Sequence, residues 1–425
     1  MKREIKSSNH IISLENCSQY ATILWCISIG WSVGIANVLM VITSLLIFIN
    51  YLIKRPKIIF KNIYTHPIIV VFILLLFSII WSKDVTSGLL KIKTFLPLLL
   101  FPLVLMYWNK VQPNVILKGI KYLSFSLVFG LIITYFLNII PTEIALNIVQ
   151  KLGNILKPFA DSDKYLFGWY VPFMIRINYC NILSYTGIAV LFLYMVEKKS
   201  YYLLMSLFFL SSSFVMGARA SMIAVVVIIP FIFLLTSKNL FKKSSLPGMI
   251  ILIVLLIGTL YFIKPNIESR IKQTKFEIES IQDQTYLEKD FKNFTTLLRL
   301  YSWKNAIQVI KLEPILGQGI GDYKKVFEEQ YQQDKLSVPL YYHSQWLYFI
   351  GVFGVLGIII FIISYLYFGL NFKRSPALYY LIIFSLYTSI VWIFDTLLLQ
   401  KIEMMAFALF LSFATCLKKT ETSYI

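Results

Sequence analysis

Apolar residues in this chain come in blocks of about 16 to 25, the length a helix needs to cross a ~30 Å hydrocarbon core. Short clusters of lysine and arginine separate the blocks. A membrane β-barrel would show segments of ~10 residues with alternating polarity instead. Two spans share the stretch from Gln19 to Leu52, broken near Gly30-Trp31-Ser32-Val33-Gly34. Further spans are predicted near 67–82, 94–108, 117–140, 179–196, 201–217, 220–236, 247–263, 345–370, 377–394 and 398–417. The predicted fold is an all-α integral membrane bundle of roughly twelve transmembrane helices.

The basic clusters set its orientation. Residues 54–66 hold four basic residues and no acid, which marks them as cytoplasmic. Counting on from a cytoplasmic N-terminus also puts Lys198-Lys199, Lys238 with Lys242-Lys243, Lys373-Arg374 and Lys418-Lys419 inside. The same count puts 141–178 and 264–344 outside. The second stretch has twelve Lys/Arg and eleven Asp/Glu, a balance expected of a folded outer loop and not of an anchoring patch. Ile267, Ile271, Ile278 and Ile281 recur at helical spacing, as do Trp303, Ile307 and Ile310, and predict amphipathic helices along the membrane surface. Pro314 ends the second of these. The layout is a cytoplasmic tail (1–18), nine spans with an outer loop near 141–178 (19–263), the large outer loop (264–344), three spans (345–417) and a second cytoplasmic tail (418–425).

Composition agrees with this layout. Of 425 residues, 58% are hydrophobic and 14% charged, whereas a soluble domain carries about 25% charged residues. The net charge of +19 sits in inter-helix segments, where topology requires it, so membrane lipids and not nucleic acid are the expected partner. Part of the surplus is available to an anionic substrate. Cys17, Cys26, Cys180 and Cys416 are scattered, with neither metal-ligand nor paired spacing. The opening MKREIKSSNHIISLENCSQY lacks the apolar core and cleavage site of a signal peptide and is read as a tail.

Few residues outside the spans suggest chemistry. Arg219, in Gly217-Ala218-Arg219-Ala220-Ser221, falls at an outward turn where the positive-inside bias disfavours arginine. A cation kept at that boundary suits an anion such as a phosphate, which guanidinium grips with two parallel hydrogen bonds; snorkelling to lipid headgroups is the plainer alternative. Arg299 precedes Trp303 and Ile307 on one helix face and so borders the apolar side. Arg176 and Arg270 lie in the two outer stretches and are weaker candidates for a supporting role. His343, in Tyr342-His343-Ser344-Gln345-Trp346-Leu347, falls where the large loop re-enters the membrane; His10 and His66 are both on the cytoplasmic side. A neutral imidazole there can take a proton from an attacking hydroxyl, although a lone histidine is often structural. Asp395 is another outer-boundary charge, either a partner for an arginine or a helix-end feature. Gly317, Gly319 and Gly321 follow a helix and a proline, lack GxGxxG spacing, and are read as a tight connection and not a nucleotide loop.

Taken together, these pieces resemble the O-antigen ligase and polymerase superfamily. Gly217-Ala218-Arg219-Ala220-Ser221 resembles its Ser/Thr-Arg-(Gly/Ala) element, with Ala218 where the family often has Ser. The run from Arg299 to Pro314-Ile315-Leu316-Gly317-Gln318-Gly319 resembles its arginine helix and Pro-x-x-Gly-x-Gly ending. His343-Ser344-Gln345-Trp346-Leu347, followed by Gly351, Gly354 and Gly357, resembles its His-(Asn/Ser)-x-x-Leu signature. The resemblance implies a GT-C-like glycosyltransferase architecture in the bacterial inner membrane, with the active site facing the periplasm. It implies a donor glycan on undecaprenyl pyrophosphate and, as acceptor, lipid A–core or a growing polysaccharide. It also implies that Arg219 and Arg299 hold the pyrophosphate and that His343 activates the acceptor hydroxyl, without metal or other cofactor. Chain length and the single His-Ser-x-x-Leu motif favour a ligase over a polymerase. A lipid-linked oligosaccharide transporter should show matched halves with midplane charges, and here the notable charges gather at one face.

Overall fold

The computed structural model describes residues 13–54, 66–112, 114–140, 174–216, 218–240, 295–333, 342–372 and 375–424, with isolated positions at 144, 171, 272, 275–277 and 279. Among these, the regular elements are all helical. The first six are α1 (Leu14–Ser28), α2 (Val33–Lys54), α3 (Pro67–Phe77), α4 (Val85–Phe95), α5 (Pro97–Val111) and α6 (Asn114–Ile139). After them come α7 (Arg176–Glu197), α8 (Ser200–Val215) and α9 (Arg219–Leu240). The stretch between α9 and the next apolar helix contributes α10 (Thr295–Leu312) and α11 (Gly319–Gln333). The chain closes with α12 (Gln345–Leu370), α13 (Pro376–Phe394), a 3₁₀ turn (Leu397–Leu399) and α14 (Lys401–Tyr424).

Six helical stretches among the described residues are long and apolar enough to cross a membrane: Val33–Ile53, Val85–Trp108, Asn114–Ile139, Arg176–Glu197, Gln345–Leu370 and Pro376–Phe394. Three more apolar helices are shorter: Pro67–Phe77, Ser200–Val215 and Arg219–Ile232. The span expected at 247–263 and most of 141–178 lie outside the described residues, as do Ile267, Ile271, Ile278, Ile281 and Arg270. Several expected boundaries shift. Helix α3 stops at Phe77 and turns through 78–81 where a span to 82 was expected. The span expected at 94–108 starts at Val85, because Asp84 caps α4 by accepting from Ser87 N (2.9 Å). Pro97 then opens α5, since its ring suits a first helical turn and cannot continue α4.

Apolar side chains cover both the inside and the outside of the bundle. Helices α7 and α14 are enclosed nearly all round, the environment that an all-round apolar helix requires. Outward stripes on the other helices, such as Leu45, Phe48 and Leu52 on α2 and Phe125, Phe129, Ile132 and Phe136 on α6, remain exposed. Stripes of that extent on a water-facing surface would aggregate; against lipid they are at home.

The segment of α10 and α11 is fastened to α12 at a break. Phe353 and Gly354 leave the helical conformation, Gly354 at φ +67°. The amides that the break leaves over are taken up by the loop after α10: Val355 N donates to Pro314 O (2.9 Å) and Leu356 N to Ile315 O (3.3 Å). In return Gln318 N donates to Gly351 O (2.8 Å). The loop's other flank docks on the elbow between α3 and α4, where Ser78 Oγ and Ser82 Oγ accept from Ile320 N and Gly321 N, each at 3.1 Å. The glycine run is thus a connection, as its spacing predicted. A Cβ on Gly354 would lie 2.0 Å from Ile315 O, and one on Gly317 (φ +70°) would lie 2.6 Å from Gly354 N. Gly354→Ala is therefore expected to destabilise the detergent-solubilised protein by on the order of 3 kcal/mol. Gly369→Ala, whose Cβ would meet only Leu381 Cδ2 at 3.6 Å, should melt like the wild type, and equal melting of the two variants would refute the clamp.

Candidate active site

Four separated segments supply the candidate residues, and α9, α10, α12 and α13 position them. Arg219 is the first residue of α9, which packs along α13. The first turn of α9 is fixed by Ser221, whose hydroxyl donates to Asn181 Oδ1 on α7 (2.8 Å). Tyr387 OH on α13 donates to the same oxygen (3.0 Å), and Asn181 Nδ2 donates to the buried Glu403 on α14 (3.1 Å). A buried network of this kind holds four helices, α7, α9, α13 and α14, in one register. The charges of Arg299 and of Glu277, itself buried, act on Arg219.

Arg299 lies near the start of α10, and its Nη2 reaches Asp395 Oδ1 at 3.8 Å, with both side chains mostly shielded from solvent. Asp395 answers both expectations at once: it ends α13, its amide bonding back to Val391 O (3.0 Å), and it is the partner of an arginine. Arg299 Nε is buried and without a hydrogen-bond partner among the described residues. The arginine therefore keeps donor capacity that Asp395 does not use. On this helix Ile307 is exposed, while Ser302, Asn305, Ala306 and Val309 are buried. The helix packs on α11 and α12, and this turns its smaller residues inward. Trp303 faces the site, where its indole donates to His343 O (3.0 Å).

His343 stands just before α12 with φ +45°, a left-handed conformation that side chains other than glycine adopt sparingly and that clusters at functional positions. Its neighbours over-determine it. Ser344 caps α12, accepting from Leu347 N (3.4 Å) and donating to Trp392 O (3.3 Å). Gln345 N donates to Asp395 O (3.2 Å), and Gln345 Oε1 accepts from Leu398 N (2.9 Å). Burial, helped by the charge of Arg299, pushes the His343 imidazole down to about 4, so it is neutral at physiological pH. Burial pushes Asp395 up to about 6, against the opposing pull of Arg299.

The structure thus couples Arg299 to Asp395 by contact and to Arg219 and His343 through its charge. Arg176 opens α7, half-buried, and its charge bears on Cys180 one turn on. His66 is elsewhere: it packs against Phe368 and Ser412, roughly 35 Å along α12 from His343 at 1.5 Å per residue. Sequence reasoning missed Asn181, Glu403 and Glu277 and gave Trp303 and Gln345 no role at the site. Buried Glu403 and Asn181 within apolar helices were the available signal, since such groups rarely sit there without a task. No three His, Cys, Asp or Glu side chains among the described residues are grouped as a metal site would need.

The Arg299–Asp395 pair makes a prediction about pH. Above about pH 6 Asp395 is ionised and holds Arg299; as pH falls through that value the carboxyl takes a proton and the pair loses its charge attraction. Activity expressed as kcat/KM, which reports groups of the free enzyme, should fall with that inflection in the wild type. In Asp395→Asn the inflection should vanish, leaving only the one near 4 that belongs to His343. A wild-type profile flat from pH 7 to 5 would count against the pair.

Comparison with known protein families matches residues 201–362 to the family described as O-antigen ligase. The matched stretch holds Arg219, Arg299 and His343 and bears out the resemblance read from the three motifs; Asp395 lies beyond it. No curated protein matches the chain significantly.

Proposed function

We propose that the chain is an O-antigen ligase, which moves a glycan from undecaprenyl pyrophosphate to the lipid A–core oligosaccharide at the periplasmic face of the inner membrane. The observation that carries this reading is the position of Arg299, whose charge acts on both Arg219 and His343. A membrane-embedded phosphate donor needs cations at the leaving group and a base at the incoming hydroxyl, and these residues supply both. In this reading 264–344 is the periplasmic catalytic loop, the tails are cytoplasmic, and the chain crosses the membrane roughly twelve times. The distance between His66 and His343 along α12 supports the assignment of opposite sides.

Arg219 and Arg299 hold the pyrophosphate, guanidinium matching phosphate oxygens in a two-pronged fork. The acceptor hydroxyl gives its proton to a ring nitrogen of His343, and its oxygen forms the new bond to the anomeric carbon. The bond from that carbon to the phosphate oxygen breaks, and the negative charge gathering on the pyrophosphate is met by the arginines, which do the electrostatic work without a metal. With a value near 4 in the free protein, His343 is a weak base. The donor's phosphates neutralise Arg299, one of the two causes of that depression, so the base strengthens only once donor is bound. This order discourages idle proton transfer in an empty site.

A polymerase would run the same chemistry onto a growing polysaccharide. Deletion of the gene followed by gel analysis of lipopolysaccharide separates the two. The ligase reading expects carrier-linked polymer to accumulate while the core stays bare; core bearing a single repeat unit would identify a polymerase.

A further inference from the structure

A cavity of about 150 Å³ opens beside the candidate active site, between α4, α11 and the start of α12. Lys91, Tyr323, Lys324, Tyr342 and Tyr348 line it, with Leu399 from the turn after α13. Two of its walls belong to the site's immediate surroundings: Tyr342 directly precedes His343, and Leu399 follows the residue whose amide Gln345 holds. The arginines stand on α9 and α10, while the cavity is built from other helices.

Its lining has the chemistry of a sugar site. The rings of Tyr323, Tyr342 and Tyr348 pack with centroids 5.2–5.3 Å apart, giving apolar faces for the C–H side of a pyranose and phenol tips for its hydroxyls. Tyr323 is 1% exposed, and its buried hydroxyl has no hydrogen-bond partner among the described residues. Burial holds that phenol well above its ordinary range, so it stays protonated and able to donate. Lys91 Nζ donates to Ile320 O (2.9 Å) and Gly321 O (3.3 Å), tying α4 to the start of α11. Lys324 is largely exposed, and its ion pair with Glu328 (3.5 Å, one turn on) is of the weak surface kind, so its ammonium can turn to a ligand. The volume is about half the lower end of the ~300 Å³ found for drug-sized ligands, which fits one sugar ring and not a chain.

We propose that this cavity is the subsite for the terminal monosaccharide of the acceptor, with Tyr323 donating to a sugar hydroxyl and Lys324 meeting an anionic substituent on the ring. The inference rests on the transfer reading above. It is tested with the purified full chain by varying donor and acceptor separately. Tyr323→Phe removes only the hydroxyl, and should raise the acceptor KM about tenfold while donor KM and kcat stay within about twofold. Lys324→Ala should raise KM only for acceptors whose terminal sugar carries a phosphate or carboxylate. Running lipid A–core and a lipid-linked repeat unit as alternative acceptors identifies the source of the sugar by which KM moves. An unchanged acceptor KM in Tyr323→Phe, or a shift in donor KM instead, overturns the subsite and leaves the transfer reading standing. A wild-type protein that transfers to neither acceptor overturns the transfer reading and the subsite with it.

Discussion

Replacing His343 by alanine is expected to slow transfer by about 10²–10⁴-fold while leaving the protein folded and able to bind lipid-linked donor. The fold should survive because the contacts that hold this segment come from its backbone and its neighbours. Trp303 binds the His343 carbonyl, and Ser344 and Gln345 supply the cap and the link to the end of α13. His343→Gln separates the two roles open to the ring: glutamine still donates a hydrogen bond but cannot accept a proton near neutrality. Near-normal transfer by His343→Gln would eliminate the base and leave a binding residue. The pH dependence of kcat should carry a second signature, because kcat reports groups in the substrate complex. With Arg299 neutralised by bound phosphates, the inflection due to His343 should lie above the value near 4 of the free protein.

Arg299→Ala is expected to lower kcat/KM for the donor by about 10²-fold or more, since it removes charge and fork geometry together. Arg299→Lys keeps the charge and should recover only part of the loss, because an ammonium cannot span two phosphate oxygens in one plane. Arg219→Ala should behave alike, with the expression of each variant confirmed in membranes. Arg299 has a further readout that a merely structural residue lacks. Its removal takes away a charge that depresses His343, so the free-enzyme inflection near 4 should move upward. Full activity of Arg219→Ala or Arg299→Ala would end the pyrophosphate assignment.

The spans were legible where an apolar run had clear basic or glycine borders. Gln345–Leu370 matches the expected 345–370, and α13 begins one residue before its expected start. The boundary at 94 failed because Lys91 and Lys93 look like loop charges in sequence. In the structure Lys91 is spent on carbonyls of residues 320 and 321, far away along the chain, and no local pattern reveals that. The same blindness affected α10. Its stripe of Trp303, Ile307 and Ile310 was legible as one face of an amphipathic helix, but not that Ala306 and Val309 would be buried where the helix packs on α11 and α12. Among the candidate residues, a charge at a predicted outer boundary singled out Arg219, and rarity singled out His343. The pairing of Arg299 with Asp395, and the network from Asn181 through Ser221 and Glu403, needed three dimensions. These are contacts between helices that lie between 40 and 222 residues apart in the chain.

The central claim is that this chain itself moves a glycan from a lipid pyrophosphate to an acceptor sugar, and reconstitution tests it most directly. Purified protein in liposomes would be given undecaprenyl-pyrophosphate-linked glycan together with lipid A–core, and the products followed by gel mobility and by release of the lipid pyrophosphate. Glycan appearing on lipid A–core in step with that release, and failing to appear with His343→Ala, is the predicted result. Donor that stays intact beside folded wild-type protein, or that crosses the bilayer unaltered, would contradict the account.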